Sequence, residues 1–219
     1  MRHPCIINQY KYDTTLYHKK FGIELMADAR TQKSQRALIQ AGLKLLNKNK
    51  EITLSDIAKE AGVGRATLYR LYENKEALIE AIALFCLQKF EDITQPIEKS
   101  AKSCLHAFEI MFELLMPYTE EAQFLAGLEY FAEYSPEIEK IIEQQDKELC
   151  ELIDYGKSTA EIDKDLPTSW LLNYVDALYY TGWCQQKQHD YTAKQASDLA
   201  FECFKRTVKP KSRSLFSRD

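Results

Sequence analysis

Arg65, Ala66, Thr67, Tyr69 and Arg70 lie within six consecutive residues and bring two guanidinium groups, a hydroxyl and a phenol together. At helical spacing they share one side of a short helix, while Leu68, Leu71 and Tyr72 fall on the other. A short, basic and aromatic face of this kind suits the groove of a nucleic acid. No comparable set points to bond-making chemistry. The histidines at 3, 18, 106 and 189 do not group, and there is no Gly-rich phosphate loop, metal cluster or Ser/His/Asp arrangement. The expectation is a protein with no catalytic residues, no cofactor and no metal.

The elements that must present this face read clearly. Thr53 and Ser55 are good N-caps for a preceding short helix, whose Leu54, Ile57, Ala58 and Ala61 form one apolar side. Ala58 is small enough for a second helix to cross close by. Gly62 supplies a left-handed residue that ends the helix, and Val63 turns an apolar side chain back into the corner. The second helix runs from about Arg65 to Tyr72. Asn74 can cap a third, opened by Lys75 and Glu76. The pattern is a helix-turn-helix, which can set its second helix in the major groove of DNA.

Charge is distributed to match. The whole chain carries a net charge of -4. Residues 28–75 hold ten Lys and Arg against five acids, a net of +5, whereas residues 76–208 hold eleven against twenty-five, a net of -14. A basic N-terminal third on an acidic body orients the protein toward a polyanion.

Asp56-Ile57-Ala58, Ala61-Gly62-Val63, Thr67-Leu68-Tyr69 and Lys75-Glu76-x-Leu78 together resemble the TetR/AcrR family of transcriptional regulators. The likeness is strong over residues 31–91. It continues weakly at Gly156 and along Glu161-Ile162-Asp163-Lys164-Asp165-Leu166-Pro167. The resemblance implies an all-α fold, with a three-helix DNA-binding head and a C-terminal helical domain that binds a small molecule and pairs with a second copy. It implies base-edge contacts from Arg65, Ala66 and Arg70, and phosphate contacts from Thr67, Tyr69 and Lys75; Thr53 is expected to hold a phosphate as well, with Ser55 beside it among the DNA-binding residues. Two positions depart from the family pattern. Gly64 stands where a capping Ser or Thr is common, and Leu71 stands where a polar residue is common.

Few glycines and prolines, scarce β-branched runs and long helical patterns give an all-α expectation for 219 residues. The expected divisions are an N-terminal extension at 1–27, a DNA-binding domain at 28–92, a ligand-binding and dimerisation domain at 93–208 and a basic tail at 209–219. The extension lacks a signal-peptide pattern and reads as lying outside the core fold; the alternative is a basic arm that reaches a DNA groove. The six cysteines form no Cys-x-x-Cys pair and read as reduced, small apolar residues of a cytoplasmic protein, with redox sensing as the other reading.

In the body, residues 97–116 read as one nearly all-apolar helix stopped by Pro117, followed by helices at about 121–134, 136–155, 167–187 and 192–209. Phe108, Met111, Phe112, Met116, Phe124, Leu128, Phe131, Tyr174 and Trp183 are candidate ligand-pocket walls, and each could equally be core. Glu109, Glu113, Glu129 and Glu133 could pair with a cationic ligand or simply form a solvated face. His106 reads as a packed or capping residue. Trp170, Leu171, Val175, Leu178, Ala196, Leu199, Ala200, Cys203 and Phe204 form two stripes that could build a four-helix homodimer interface or cover the protein's own core. The resulting expectation is a homodimeric repressor that binds a pseudo-palindromic DNA operator and is released by a small-molecule effector. The alternative is a helix-turn-helix protein acting through protein partners or DNA architecture.

Overall fold

The computed structural model describes residues 29–128 and 135–210. Within them the regular structure is helical: α1 (Ala29–Lys48), α2 (Leu54–Glu60), α3 (Arg65–Leu71), α4 (Lys75–Thr94), α5 (Ile97–Ser100), α6 (Cys104–Leu115), α7 (Thr119–Ala126), α8 (Pro136–Ser158), α9 (Thr168–Gln188) and α10 (Ala193–Val208). The expectations for residues 1–28, 129–134 and 211–219 lie outside the described residues; these include Cys5, Glu129, Phe131 and Glu133.

Two compact units emerge. One takes residues 29–90 together with 118–128 and 135–141, and the other takes 91–117 together with 142–210. The first is the head. Leu38, Leu46, Ile57, Leu68, Leu78 and Ile82 are fully buried at its centre, one or two from each of α1 to α4. Close packing of α1 on α4 depends on Gly42, where an added Cβ would lie 2.6 Å from Ile82 Cδ1.

Helix α7 packs with the head, although the sequence reading placed everything beyond residue 92 in the body. Asn47 Nδ2 donates to the Glu120 carbonyl at 2.8 Å, and Lys89 Nζ pairs with buried Glu121 at 2.5 Å. The same ammonium stands 4.4 Å from the Tyr118 ring centre. A carboxylate removed from water needs such a partner, so Glu121 fixes which face of α7 meets α4.

The second unit is built on aromatic packing. Phe108 of α6 meets Phe204 of α10 at 4.3 Å between ring centres, and Phe112 meets Tyr179 of α9 at 4.7 Å. The single helix expected over 97–116 is instead two. Ala101 and Ser103 are extended, and Ser103 accepts from the His106 N–H to start α6 afresh. Glu161 completes the cap by accepting from the Cys104 and Leu105 N–H groups at 3.1 and 3.0 Å. Three satisfied donors outweigh continuity of an apolar run.

The dimer stripes read from the sequence turn out to face mainly inward. Leu171, Val175 and Phe204 are fully buried, and Leu178, Ala196 and Ala200 are buried with them in one cluster around Phe108 and Phe112. Those six side chains pack within their own subunit. The opposite face carries Trp170 (66% exposed), Tyr180 (63%) and Leu199 (51%), with Cys203 half-buried beside them.

Candidate nucleic-acid interface

Local chemistry builds the helix-turn-helix. Thr53 is the N-cap of α2 and forms a capping box: its hydroxyl accepts from the Asp56 N–H, and the Asp56 side chain accepts from the Thr53 N–H. Ser55 falls inside the helix as its second residue and is not the cap. After Ala61, Gly62 takes φ 65°, and the Val63 N–H reaches back to the Ala58 carbonyl at 2.9 Å. This closes α2 in the left-handed manner expected of glycine. Gly64 then caps α3 with no side-chain hydrogen bond, so the departure from a Ser or Thr cap removes one anchor. The buried Leu68 holds α3 in place instead.

Fixing Leu68 inward determines what points outward. Arg65, Ala66 and Arg70 are exposed, Tyr69 is 54% exposed, and Thr67 and Leu71 are half-buried. Tyr72 closes the helix from within; burial pushes its phenol up to about 12, so it stays neutral. Tyr69 thus presents its ring and phenol to solvent on the same side of α3 as the two arginines.

Two of the predicted phosphate contacts are engaged inside the head. Thr53 spends its hydroxyl proton and its backbone N–H on Asp56, so it has no donor left for a phosphate oxygen. The same hydrogen bonds hold the Asp56 carboxyl below its ordinary value, which keeps a negative charge beside it. Lys75 donates to the Lys50 carbonyl at 2.7 Å, tying the start of α4 to the turn after α1. Its ammonium has two further protons and is half-buried, so a phosphate contact stays open to it. On the α1 side, Lys44 is paired with Glu60 at 2.6 Å, while Lys33 and Arg36 remain exposed.

Comparison with known proteins agrees with this geometry. The family model described as bacterial regulatory proteins, tetR family, matches residues 38–82, from the second half of α1 through the first part of α4. A TetR family transcription regulator from Marinobacter aquaeolei VT8 superposes with TM-score 0.69 at 23% identity, covering 83% of this chain and 98% of that one. Residues 38–82 match the TetR family, and the described residues share the fold of its solved members. Further solved regulators share the fold: the TetR-like transcriptional regulator LfrR from Mycobacterium smegmatis, in complex with proflavine, has TM-score 0.68 at 21% identity, covering 83% and 98%. The ketosteroid transcriptional regulator KstR2 of Mycobacterium tuberculosis has TM-score 0.68 at 16% identity, covering 85% and 98%. In sequence, the chain is 28% identical over 98 residues to the nucleoid occlusion factor SlmA of Aliivibrio fischeri strain MJ11, 43% of this chain and 50% of that protein. It therefore spans about half the length of the curated relatives it matches.

The open face of α3, within the segment that matches the tetR family, is where the head has the chemistry for contact with DNA. The residues named as pocket walls are divided between the two units. Phe108, Phe112 and Met116 are fully buried in the second unit, with Met111, Tyr174 and Trp183 half-buried around them. Phe124 and Leu128 are buried in the head unit. Glu109 and Glu113 are exposed on α6; the Lys194 ammonium is raised chiefly by its hydrogen bond to Asp198, with Glu113 and Glu109 adding to it. His106 is a capping histidine, its Nδ1 accepting from the Lys102 N–H at 3.1 Å. Burial pushes the Cys86 and Cys104 thiols up to about 12, which leaves both as unreactive packing groups. Among the described residues, no helix is long and apolar enough to cross a membrane.

Proposed function

We propose that this TetR-family protein is a cytoplasmic repressor that binds a pseudo-palindromic operator as a homodimer and leaves it when a small molecule occupies the second unit. The observation that carries the reading is α3: one buried leucine, Leu68, anchors it, and Arg65, Ala66, Tyr69 and Arg70 stand open on its other side. In this reading Arg65 and Arg70 pair with guanine edges, Ala66 lies against the bases, and Thr67, Tyr69 and Lys75 hold phosphates. Ser55 sits beside them near the start of α2.

Pairing supplies the second half-site. The exposed apolar face of α9 and α10, with Trp170, Tyr180, Leu199 and Cys203, is the part of the second unit suited to meet a copy of itself. Two recognition helices about 34–36 Å apart then read one face of the duplex. Release by a ligand requires that it bind the conformer with displaced heads better than the DNA-bound one. Helix α4 runs from the head into the second unit and is the covalent route for that coupling. The solved relative in complex with proflavine supports a small-molecule role for the second unit.

Selection of bound sequences from random duplex DNA tests the reading. A palindromic consensus with half-sites one helical turn apart is the expected result; a non-palindromic or sequence-independent pool contradicts it. The partial likeness to a nucleoid occlusion factor favours a second reading, in which the protein acts on DNA architecture or protein partners without an inducer. A body that no small molecule of any charge can bind would favour that one.

A further inference from the structure

Lys50 is one of the ten basic residues in 28–75, yet its ammonium is seated against the protein. The seat is the C-terminal end of α7. A Cβ added at Gly127, the cap of that helix, would lie 2.6 Å from Lys50 Nζ and 3.5 Å from its Cε. The ring centre of the buried Phe124 is 5.9 Å from the same nitrogen. The last carbonyls of a helix carry partial negative charge, so an ammonium is stabilised there. Burial holds this ammonium below its ordinary value, in keeping with a seat partly shut off from water.

The carbonyl of the same residue accepts from Lys75 Nζ at 2.7 Å. Lys50 therefore joins α7, through its side chain, to the start of α4, through its backbone. Both sides of that joint are braced. Asn49 Oδ1 accepts from the Glu51 N–H at 3.0 Å, and the Asn49 carbonyl accepts from the Ile52 N–H at 3.3 Å, which stiffens the turn that carries Lys50. Asn47 Nδ2 donates to the Glu120 carbonyl, and Gln123 Nε2 donates to the Asn47 carbonyl at 3.4 Å, which holds α7 on α1. A lysine side chain otherwise samples many rotamers, and fixing one on binding costs affinity. One Lys75 proton is spent on the Lys50 carbonyl, and the two that remain are held in place before any phosphate arrives.

We propose that Lys50 is a positioning residue for DNA binding: seated on the end of α7, it presents its carbonyl to Lys75 and so pre-orders the Lys75 ammonium for a backbone phosphate. This rests on the phosphate role given to Lys75 above. Lys50 acts through Lys75 and touches no DNA itself, so its own charge is not among the phosphate contacts. The grip of the head on the duplex then depends on α7, a helix outside the helix-turn-helix. Gly127 permits the arrangement because its bare Cα leaves room for the ammonium. Its φ of -96° is open to any residue, so an alanine there moves Lys50 off its seat without backbone strain.

Fluorescence anisotropy of the full chain on a random-sequence duplex of about thirty base pairs, between about 50 and 200 mM salt, tests this. Lys75→Met should weaken binding and lower the salt slope by about one per head, since one phosphate contact is lost. Lys50→Met should weaken binding about threefold to tenfold at the parent's slope, because Lys75 still reaches its phosphate but must be ordered first. Gly127→Ala should do the same, and should add nothing to Lys50→Met. In the Lys75→Met background, Lys50→Met should change affinity less than about twofold. Circular dichroism fixes the folded fraction of each variant, and affinities are compared per folded protein. The inference is overturned if Lys50→Met binds like the parent, if it lowers the slope as Lys75→Met does, or if its full loss persists without Lys75. If Lys75→Met changes neither affinity nor slope, the phosphate role of Lys75 falls and the positioning role with it. If Lys75→Met acts as expected and Lys50→Met does not, the phosphate role stands and only the positioning role falls.

Discussion

Gly62 offers a clean test of how the head is held, because its substitution separates steric from backbone cost. An added Cβ meets nothing within 4 Å, so packing predicts no penalty at all for Gly62→Ala. The φ of 65° predicts one, since a left-handed residue other than glycine costs roughly 1–2 kcal/mol. Reduced freedom of the unfolded chain returns about 0.4–1 kcal/mol, which leaves a net loss near ~1 kcal/mol. For a chain of this length that lowers Tm by about 2–4 °C. Asn tolerates the left-handed region and should cost less than Ala, whereas Val is stiff at its first side-chain torsion and should cost more. Urea unfolding of the four proteins should rank them Gly, Asn, Ala, Val with an unchanged denaturant slope. If Gly62→Ala matches or exceeds the parent, or if Val is no worse than Ala, the left-handed closure of α2 is not what sets the turn.

The outward face of α9 and α10 predicts that Leu199→Arg gives a folded monomer by sedimentation, whereas a dimer of parental affinity would contradict that interface; Leu199 is half exposed, so its own subunit should tolerate the change. Asp176→Asn should stabilise the protein at pH 7.5 and not below pH 4. The folded carboxyl holds its proton up to about 6 against an ordinary 3.8, so the parent loses stability as pH rises through that window. Solvent at this accessible side chain screens the effect, and a gain of about 1 kcal/mol is expected. A gain that is the same at pH 4 and pH 7.5 would refute the charge origin.

The head was legible because its signals are local. A threonine three residues before an aspartate, a glycine at the end of an apolar stripe and a leucine between arginines each fix their own neighbourhood, and α2, the turn and α3 follow. The body was less so because its decisive contacts join distant residues. The break at Ala101 depends on Glu161 reaching the start of α6 from far along the chain, which no periodicity in 97–116 reveals. The stripe on α9 was found, but its direction was not. Leu171 and Val175 look as suited to a second copy as to Phe108, and only the packed unit shows which is met. Thr53 shows the strength of a local signal: it reads as an N-cap from its type alone, and its donors are committed to Asp56 in the cap.

The central claim is that the open face of α3 reads bases while its flanks hold the backbone. The most direct measurement is affinity of Arg65→Ala and Tyr69→Phe for the selected duplex and for a scrambled duplex of equal length, over a range of salt. Arg65→Ala should lose about 1–3 kcal/mol on the selected duplex and little on the scrambled one. Tyr69→Phe should weaken both alike, and affinity of the parent should fall steeply as salt rises. Equal affinity of parent and Arg65→Ala for the selected duplex, or binding indifferent to salt, would contradict the account.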